Sequence, residues 1–493
     1  MRGRTCAALL ALLPSLLAGR AAARDTVEKM FQKTLPLPAG RLLTIEHANG
    51  DIVVKTHAVP ELRVHAVIRV TSSNEEEARS FADEIHIEAE AEGGGAVVRT
   101  RYPERLSFRN FRISYSVDYD ILMPEGASLM AKNRFGSVSV SGVRGGTTID
   151  NANGRVTLRA GGGLQRVSSS FGAVEVTGAG GDVDITNGNG DVTVADVKGS
   201  AELRTRFGKI SASKIAKSVT ISGGNGDVTL ADCGPATVRA SFSRVDARNI
   251  AGALDVQNSN GAVDASNVTG AASLKTSFGA VRFTDVGRAI VVASNAGVTG
   301  TKAKEGASVH TSFGPIELSD VGGTFEVEGS NSSIKARGLR GSGRLKTSFG
   351  PVDADDVGGD LEVENSNGSV TAHGVKGSAR VKTSFGSVTL GGVGGEIQVD
   401  DSNGSIDVRQ AARASGECRK TTLKTSFGTV KAQLPEGLGY TVDARTSFGS
   451  IESELPVAGG QQSGNVLTGK IGDGRCPLTV VNSNGRINLV VAR

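Results

Sequence analysis

Tryptophan is absent from the 493 residues, and all aromatics together make up 4%. A conventional core in a chain of this length would draw on more large aromatic anchors, so a string of ordinary globular domains fits poorly. Cysteine is scarce as well. There are four, with no CxxC and no Cys/His cluster, which gives a zinc site no support. Beyond the N-terminal stretch no segment is long and apolar enough to cross a bilayer. Neither sign of charge is in marked excess. The 55 Lys and Arg are interleaved with 51 Asp and Glu for a net charge of +4, and no nucleic-acid partner is implied. What is plentiful is glycine, at 67 residues, together with Val and Ile in a hydrophobic fraction of 38%. That fraction argues against disorder and for a repeat of small, tightly turned units.

The first residues read as a secretory signal peptide, residues 1–23. Arg2 and Arg4 form a basic start, residues 6–18 are apolar, and Ala21 and Ala23 suit cleavage before Arg24. Pro14 and Ser15 interrupt the apolar stretch, which is too short for a comfortable membrane anchor. The mature chain is therefore expected outside the cytoplasm, in the periplasm, at the cell surface or secreted.

Self-comparison shows the organisation. Phe135, Phe171, Phe207, Phe242, Phe278, Phe313, Phe349 and Phe385 recur about every 36 residues, and seven of these eight precede Gly. Asn153, Asn189, Asn225, Asn260, Asn295, Asn331, Asn367 and Asn403 fall between them. The elementary unit is thus about 18 residues, repeated sixteen times, and the units starting at Asn225 and Phe278 are one residue short. With Phe or Asn as position one, position four is Val or Ile throughout, from Val138 to Ile406. Positions six, nine, thirteen and fifteen are usually apolar, as in Leu390, Val393, Ile397 and Val399.

Alternation of apolar and polar residues marks strands with one buried face. One strand is expected near positions three to six, a second near twelve to sixteen, and a short segment around position nine between them. Gly at positions two and eleven is expected to supply turns with positive φ. A meander of hairpins would also alternate. It would not require the same residue at the same place in every unit, whereas stacked coils would. The expected fold is all-β, a parallel β-solenoid with a right-handed wind. Sixteen coils spaced roughly 4.8 Å apart make a rod of about 75 Å.

Positions fourteen and sixteen carry a second pattern. Units that begin with Phe place Glu326 and Glu328, or Glu362 and Glu364, at those positions. Units that begin with Asn place Arg344 and Lys346, or Arg380 and Lys382. Stacked in register, these form outward columns of alternating sign that oppose a slip by one coil.

The chain divides into the signal peptide at 1–23, a β-rich N-terminal cap region at 24–134, the regular solenoid at 135–411, and irregular final coils with a C-terminal cap at 412–493. Within the cap region one helix is expected over about 74–84, with Asn74 as its N-cap and Glu75 to Glu77 in its first turn. Asn49-Gly50-Asp51-Ile52 resembles the start of a coil.

Three cysteines remain after cleavage. Cys233, at position nine, is expected to be a buried free thiol with a packing role. An oxidising compartment favours pairing of Cys418 with Cys476. The intervening Phe448 coil would hold them too far apart, and this weighs slightly against a disulfide.

No catalytic, cofactor-binding or metal-ligating residue is singled out. Gly223-Gly224-Asn225-Gly226-Asp227 resembles a calcium-binding nonapeptide unit, but the nine-residue tandem is not sustained. His47, His57, His65, His86, His310 and His373 lack metal-ligand spacing, and no G-x-S-x-G elbow exists. Acidic residues fall on outward positions and are matched by Lys and Arg, unlike the clustered carboxylates of a glycan-cleaving enzyme. With no Trp and four Tyr, the aromatic signal for a sugar-binding face is weak.

The segments LTIEHANGDIVV, YSVDYDILMPEGASL, the recurring TSFGSVTL and SNGSIDV, and the ending LTVVNSNGRINLVV together resemble the bacterial putative-adhesin family of exported proteins. The resemblance covers most of the mature chain. It implies a β-solenoid, an extracytoplasmic location and no catalytic residues to carry over. The expectation is a non-catalytic repeat protein offering an adhesin-like surface to an envelope or extracellular partner, protein or glycan. A structural envelope scaffold is the alternative, and a polysaccharide-acting enzyme is less favoured.

Overall fold

The structure is a computed structural model that describes residues 25–103, 113–411 and 419–492. The signal-peptide reading and Cys418 lie outside those residues. The repeat folds as a parallel β-solenoid. Each 18-residue unit is one coil of two strands, as in Val388–Val393 and Ile397–Asn403, and every strand pairs in parallel with the same strand of the coils before and after it. The position-four side chains from Val138 to Ile406 are all buried and form one unbroken column.

The column is longer than the sixteen regular coils. Ile52 pairs with Val138 at one end. At the other, Val430 pairs with Ile406, Ile487 with Val430, and Ile451 with Ile487. One further coil therefore precedes the array and three follow it, for a rod of roughly 95 Å. The C-terminal coils do not stack in chain order. Cys476–Asn484 lies between Thr421–Phe427 and Tyr440–Phe448, paired in parallel with both. The final coil is thus inserted between the two coils that precede it in sequence, and the alternation of Phe and Asn at position one continues without a break through Asn403, Phe427, Asn484 and Phe448.

This order removes the reason to expect unpaired cysteines, since the Phe448 coil does not intervene between the Phe427 and Asn484 coils. Cys476 is disulfide-bonded, which overturns the expectation against a bridge. Cys233 is free and buried at position nine, between Ile215 and Ile250 of the adjacent coils, with burial pushing its thiol pKa up.

The turn chemistry differs from the expectation at one corner. Position two has positive φ in most coils, as at Gly154 (133°) and Gly386 (141°). A Cβ on Gly154 would also sit 2.1 Å from the Gly136 carbonyl oxygen of the preceding coil, so close stacking and backbone conformation both demand Gly there. Most position-eleven glycines do not have positive φ. They are required by proximity alone: a Cβ on Gly341 would meet the Gly323 oxygen at 2.4 Å. The second positive-φ corner is position eight, where Asp196, Asn249, Lys302 and Asp356 adopt φ of 54° to 58° in place of Gly. That corner shifts the alternation, so that position nine points back into the core. The two short units lose their residue at positions ten to twelve. Cys233 still pairs with Ile250 and Ala236 with Leu254, so the strand registers survive.

Both ends switch from parallel to antiparallel pairing. At the N-terminal end Gly95–Arg101 and Ser114–Pro124 lie in parallel on Leu42–Glu46 and Ile52–His57, then pair antiparallel with His86–Glu92 and Glu61–Ser72. Asp25–Pro36 adds to Glu61–Ser72. The expected helix is Glu75–Glu84; the Asn74 side chain accepts from the Glu76 and Glu77 amides, and Ala78, Phe81 and Ala82 are buried. At the C-terminal end Val466–Ile471 pairs antiparallel with Tyr440–Phe448.

Candidate functional site

The distinctive surface arises at the corner between position seventeen and position two. Strand alternation turns position seventeen inward, where no apolar side chain could satisfy the corner carbonyls. Most of those positions hold Asn or Thr, with Ser169, Gly223, Ala240, Ala293, Gly329 and Asp401 as exceptions. Asn365 donates its amide to the carbonyls of Gly350 and Gly368, both at 3.0 Å, and the Thr347 hydroxyl donates to the carbonyls of Ser332 (2.9 Å) and Phe349 (3.2 Å). Both side chains tie one turn of the rod to the turn before it. With that site filled by polar groups, the residue at position one projects outward.

Position one is Phe in every second coil. Ten phenylalanines, from Phe135 to Phe448, stand in one line along the rod, each between 47% and 79% exposed. Consecutive rings are two coils apart, about 10 Å, too far to stack on one another. The Asn residues of the intervening coils occupy the gaps. Half-exposed rings of this kind present on the order of 1,000 Å² of apolar surface in one stripe, where the largest patch on a typical monomer is about 300–600 Å².

Counting only Trp and Tyr understated this surface. Alternation alone does not assign position one to a face. A sequence signal did exist: the same register position is Phe in half of the coils and Asn in the other half, and a buried column would not accept unpartnered Asn amides at every second level.

Charge along the edge is uneven. From Ser259 to Thr429, positions eighteen, one, two and three hold Ser, Phe or Asn, Gly, Ala, Pro and Thr, and no ionisable residue. Before that stretch the same positions include Arg134, Arg155, Asp191, Arg206, Lys209, Asp227 and Arg244; after it comes Arg486. Ten consecutive coils thus share a charge-free edge with five phenylalanines.

The charge columns lie on the faces beside this edge. Arg344 pairs in register with Glu326 and Glu362, and Lys346 with Glu328 and Glu364. The contacts include a diagonal Arg344–Glu364 ion pair of 2.6 Å, and this hydrogen bond holds the guanidinium above its usual range. An open groove lined by Arg288, Glu326, Arg344, Glu362 and Arg380 follows these columns. Its charges alternate and compensate one another, which marks it as a register device.

A polar cluster closes the N-terminal end. His47 Nδ1 lies 3.0 Å from the Thr100 hydroxyl, which lies 2.6 Å from Tyr119 OH. Burial pushes the His47 imidazole down to about 4 and the Tyr119 phenol up to about 12, so both are neutral at pH 7. Among the described residues no group of three or more His, Cys, Asp or Glu is arranged to hold a metal ion, and no helix is long and apolar enough to cross a membrane.

A family model described as Toastrack DUF4097 matches residues 41–490. Among solved structures, one described as a "putative cell adhesion protein" from Clostridium sporogenes is 11% identical, covering 41% of this chain and 99% of its own, with a TM-score of 0.22. Another, described as a "putative adhesin" from Parabacteroides distasonis, is 9% identical, covering 76% of this chain and 97% of its own, with a TM-score of 0.14. Among curated proteins nothing matches.

Proposed function

The chain belongs to the Toastrack DUF4097 family, and within it we propose that this protein is a non-catalytic, extracytoplasmic binding rod, adhesin-like in action, whose phenylalanine edge is the contact surface. The observation that carries the reading is the single line of ten half-exposed rings on a chain with 4% aromatics. Leaving this much apolar surface in water is unfavourable unless a partner covers it. A repeating edge binds through many shallow contacts whose effects multiply once the first is made. From Glu326 to Lys382 the charges of the neighbouring face alternate in sign and offset one another.

The scaffold reading needs rods to join end to end. The antiparallel strands at both ends oppose it, because they interrupt the parallel ladder that a second rod would have to continue. Retention of the mature chain on isolated cell-envelope material tests the proposal. Replacing all ten phenylalanines by Ser should abolish retention while leaving the far-UV circular dichroism unchanged. Retention equal to that of the unmodified chain would rule out the edge as the contact surface.

A further inference from the structure

We infer that the charge-free half of the edge, from Asn260 to Phe427, binds a neutral, extended β-linked polysaccharide. The inference rests on the binding-rod reading and names the partner class.

Three observations point to that occupant. The first is charge. Over ten coils the edge has no ionisable side chain, although 22% of the residues in the chain are charged. A nucleic acid or an anionic polysaccharide requires a row of unpaired Lys or Arg, and from Glu326 to Lys382 the flanking columns offer cations in alternation with Glu. An uncharged polymer meets no desolvated charge on this surface.

The second is chemistry. Phe278, Phe313, Phe349, Phe385 and Phe427 are between 52% and 55% exposed, and each offers a ring to the C–H face of a pyranose. Between them Asn295, Asn331, Asn367 and Asn403 offer an amide that both donates and accepts, which suits sugar hydroxyls. Ser at position eighteen of every coil in this stretch adds a hydroxyl.

The third is spacing. The Phe-to-Phe repeat of about 10 Å is close to the length of one disaccharide in an extended β-1,4-linked chain. A sugar on each Phe would leave the next sugar over the intervening Asn. A second copy of this chain could also lay its edge here, Phe over Asn. Only the charge-free half could take part without burying unpaired Arg and Asp. Its five rings at half exposure supply on the order of 500 Å², short of the roughly 800 Å² per partner that a stable dimer needs.

The test is calorimetric titration of the mature chain with cellohexaose and chitohexaose, with maltohexaose (neutral but helical) and polygalacturonate (extended but anionic) as contrasts. Either or both of the first two should bind, at least tenfold more tightly than their disaccharides, and the contrasts should bind at least tenfold more weakly. Ser at Phe278, Phe313, Phe349, Phe385 and Phe427 together should reduce binding tenfold or more. Val59→Ser, at an exposed apolar residue that is not one of the edge phenylalanines, should change it less than twofold. These side chains lie on the surface, so an unchanged thermal transition will show that the variants fold. The inference is overturned if neither hexasaccharide binds at millimolar concentration, or if polygalacturonate binds as tightly. It is also overturned if sedimentation shows a dimer that the five-ring variant loses. If the oligosaccharides fail while envelope retention still depends on the phenylalanines, only the partner class is wrong. If retention is also indifferent to the rings, the binding-rod reading falls with it.

Discussion

Gly300 pairs directly with Phe283 on the adjacent coil, both at inward-facing position six, and a Cβ on Gly300 would sit 2.0 Å from the Phe283 ring. Phe325 and Gly343 repeat the arrangement at position thirteen, where a Cβ on Gly343 would lie 2.5 Å from the Phe325 ring. A buried Phe in this thin interior is thus accommodated by an empty site in the next coil. Gly300→Val should cost about 1–3 kcal/mol through overpacking. Adding Phe283→Val restores an even column and should recover most of that loss. A double-mutant cycle by urea denaturation reads the coupling, and additive single effects would disprove the pairing.

Asp401 occupies the inward position that Asn365 fills two coils earlier, but it cannot donate to the corner carbonyls when ionised. Its Oδ1 accepts from the Asn403 amide at 3.2 Å, and its Oδ2 has no partner. Burial raises its pKa from 3.8 to about 6. A raised carboxyl pKa means that the folded state favours the proton. Its contribution is fully present below the ordinary carboxyl range and is lost as pH rises through about 6. Asp401→Asn should therefore stabilise the chain by about 1–2 kcal/mol at pH 8 and have little effect at pH 4. Thermal unfolding at the two pH values provides the check.

The charge columns are in register, with Glu362 and Glu364 each paired between basic residues of both neighbouring coils. Reversing both to Lys places six basic side chains together. The expected loss is about 1–2 kcal/mol at low salt, less at high salt because the face is partly exposed. Since solenoid stability is a sum over neighbours, amide exchange should accelerate in the Phe349 and Asn367 coils and remain unchanged near Asn189. Unaltered exchange at low salt would show that the columns do not set register.

Ending the chain after residue 474 removes the strands Cys476–Asn484 and Ile487–Val491. Tyr440–Phe448 then loses its parallel partner, and Ile451–Ser453 loses the strand it pairs with. Amides over 440–453 should exchange rapidly, whereas those of Val352–Val357 keep their protection. Full protection over 440–453 in the truncated chain would contradict the inserted order.

Much of the fold could be read from the chain because a stacked coil places equivalent residues in equivalent surroundings. The invariance of position four, from Val138 to Ile406, already demanded a buried column, and the opposed signs at Arg344 and Glu362 already demanded parallel register. Those inferences need only the period and the side-chain chemistry. Cys233 was legible as a packing residue for the same reason, since its position is Val or Ile in the neighbouring coils.

Where the period failed, only the tertiary structure could decide. Asn484 follows Phe448 in sequence but lies between Phe427 and Phe448 in space, because strand pairing is satisfied by any coil of matching register, whatever its place in the chain. Position eight adopts positive φ with Asp, Asn or Lys, and position eleven needs Gly for contact with the next coil. Both outcomes depend on how closely neighbouring backbones approach. The outward set of the Phe edge has the same origin. The sequence determines that Phe and Asn alternate in one column; the inward Asn and Thr at position seventeen, bonded to the corner carbonyls, decide that the column faces water.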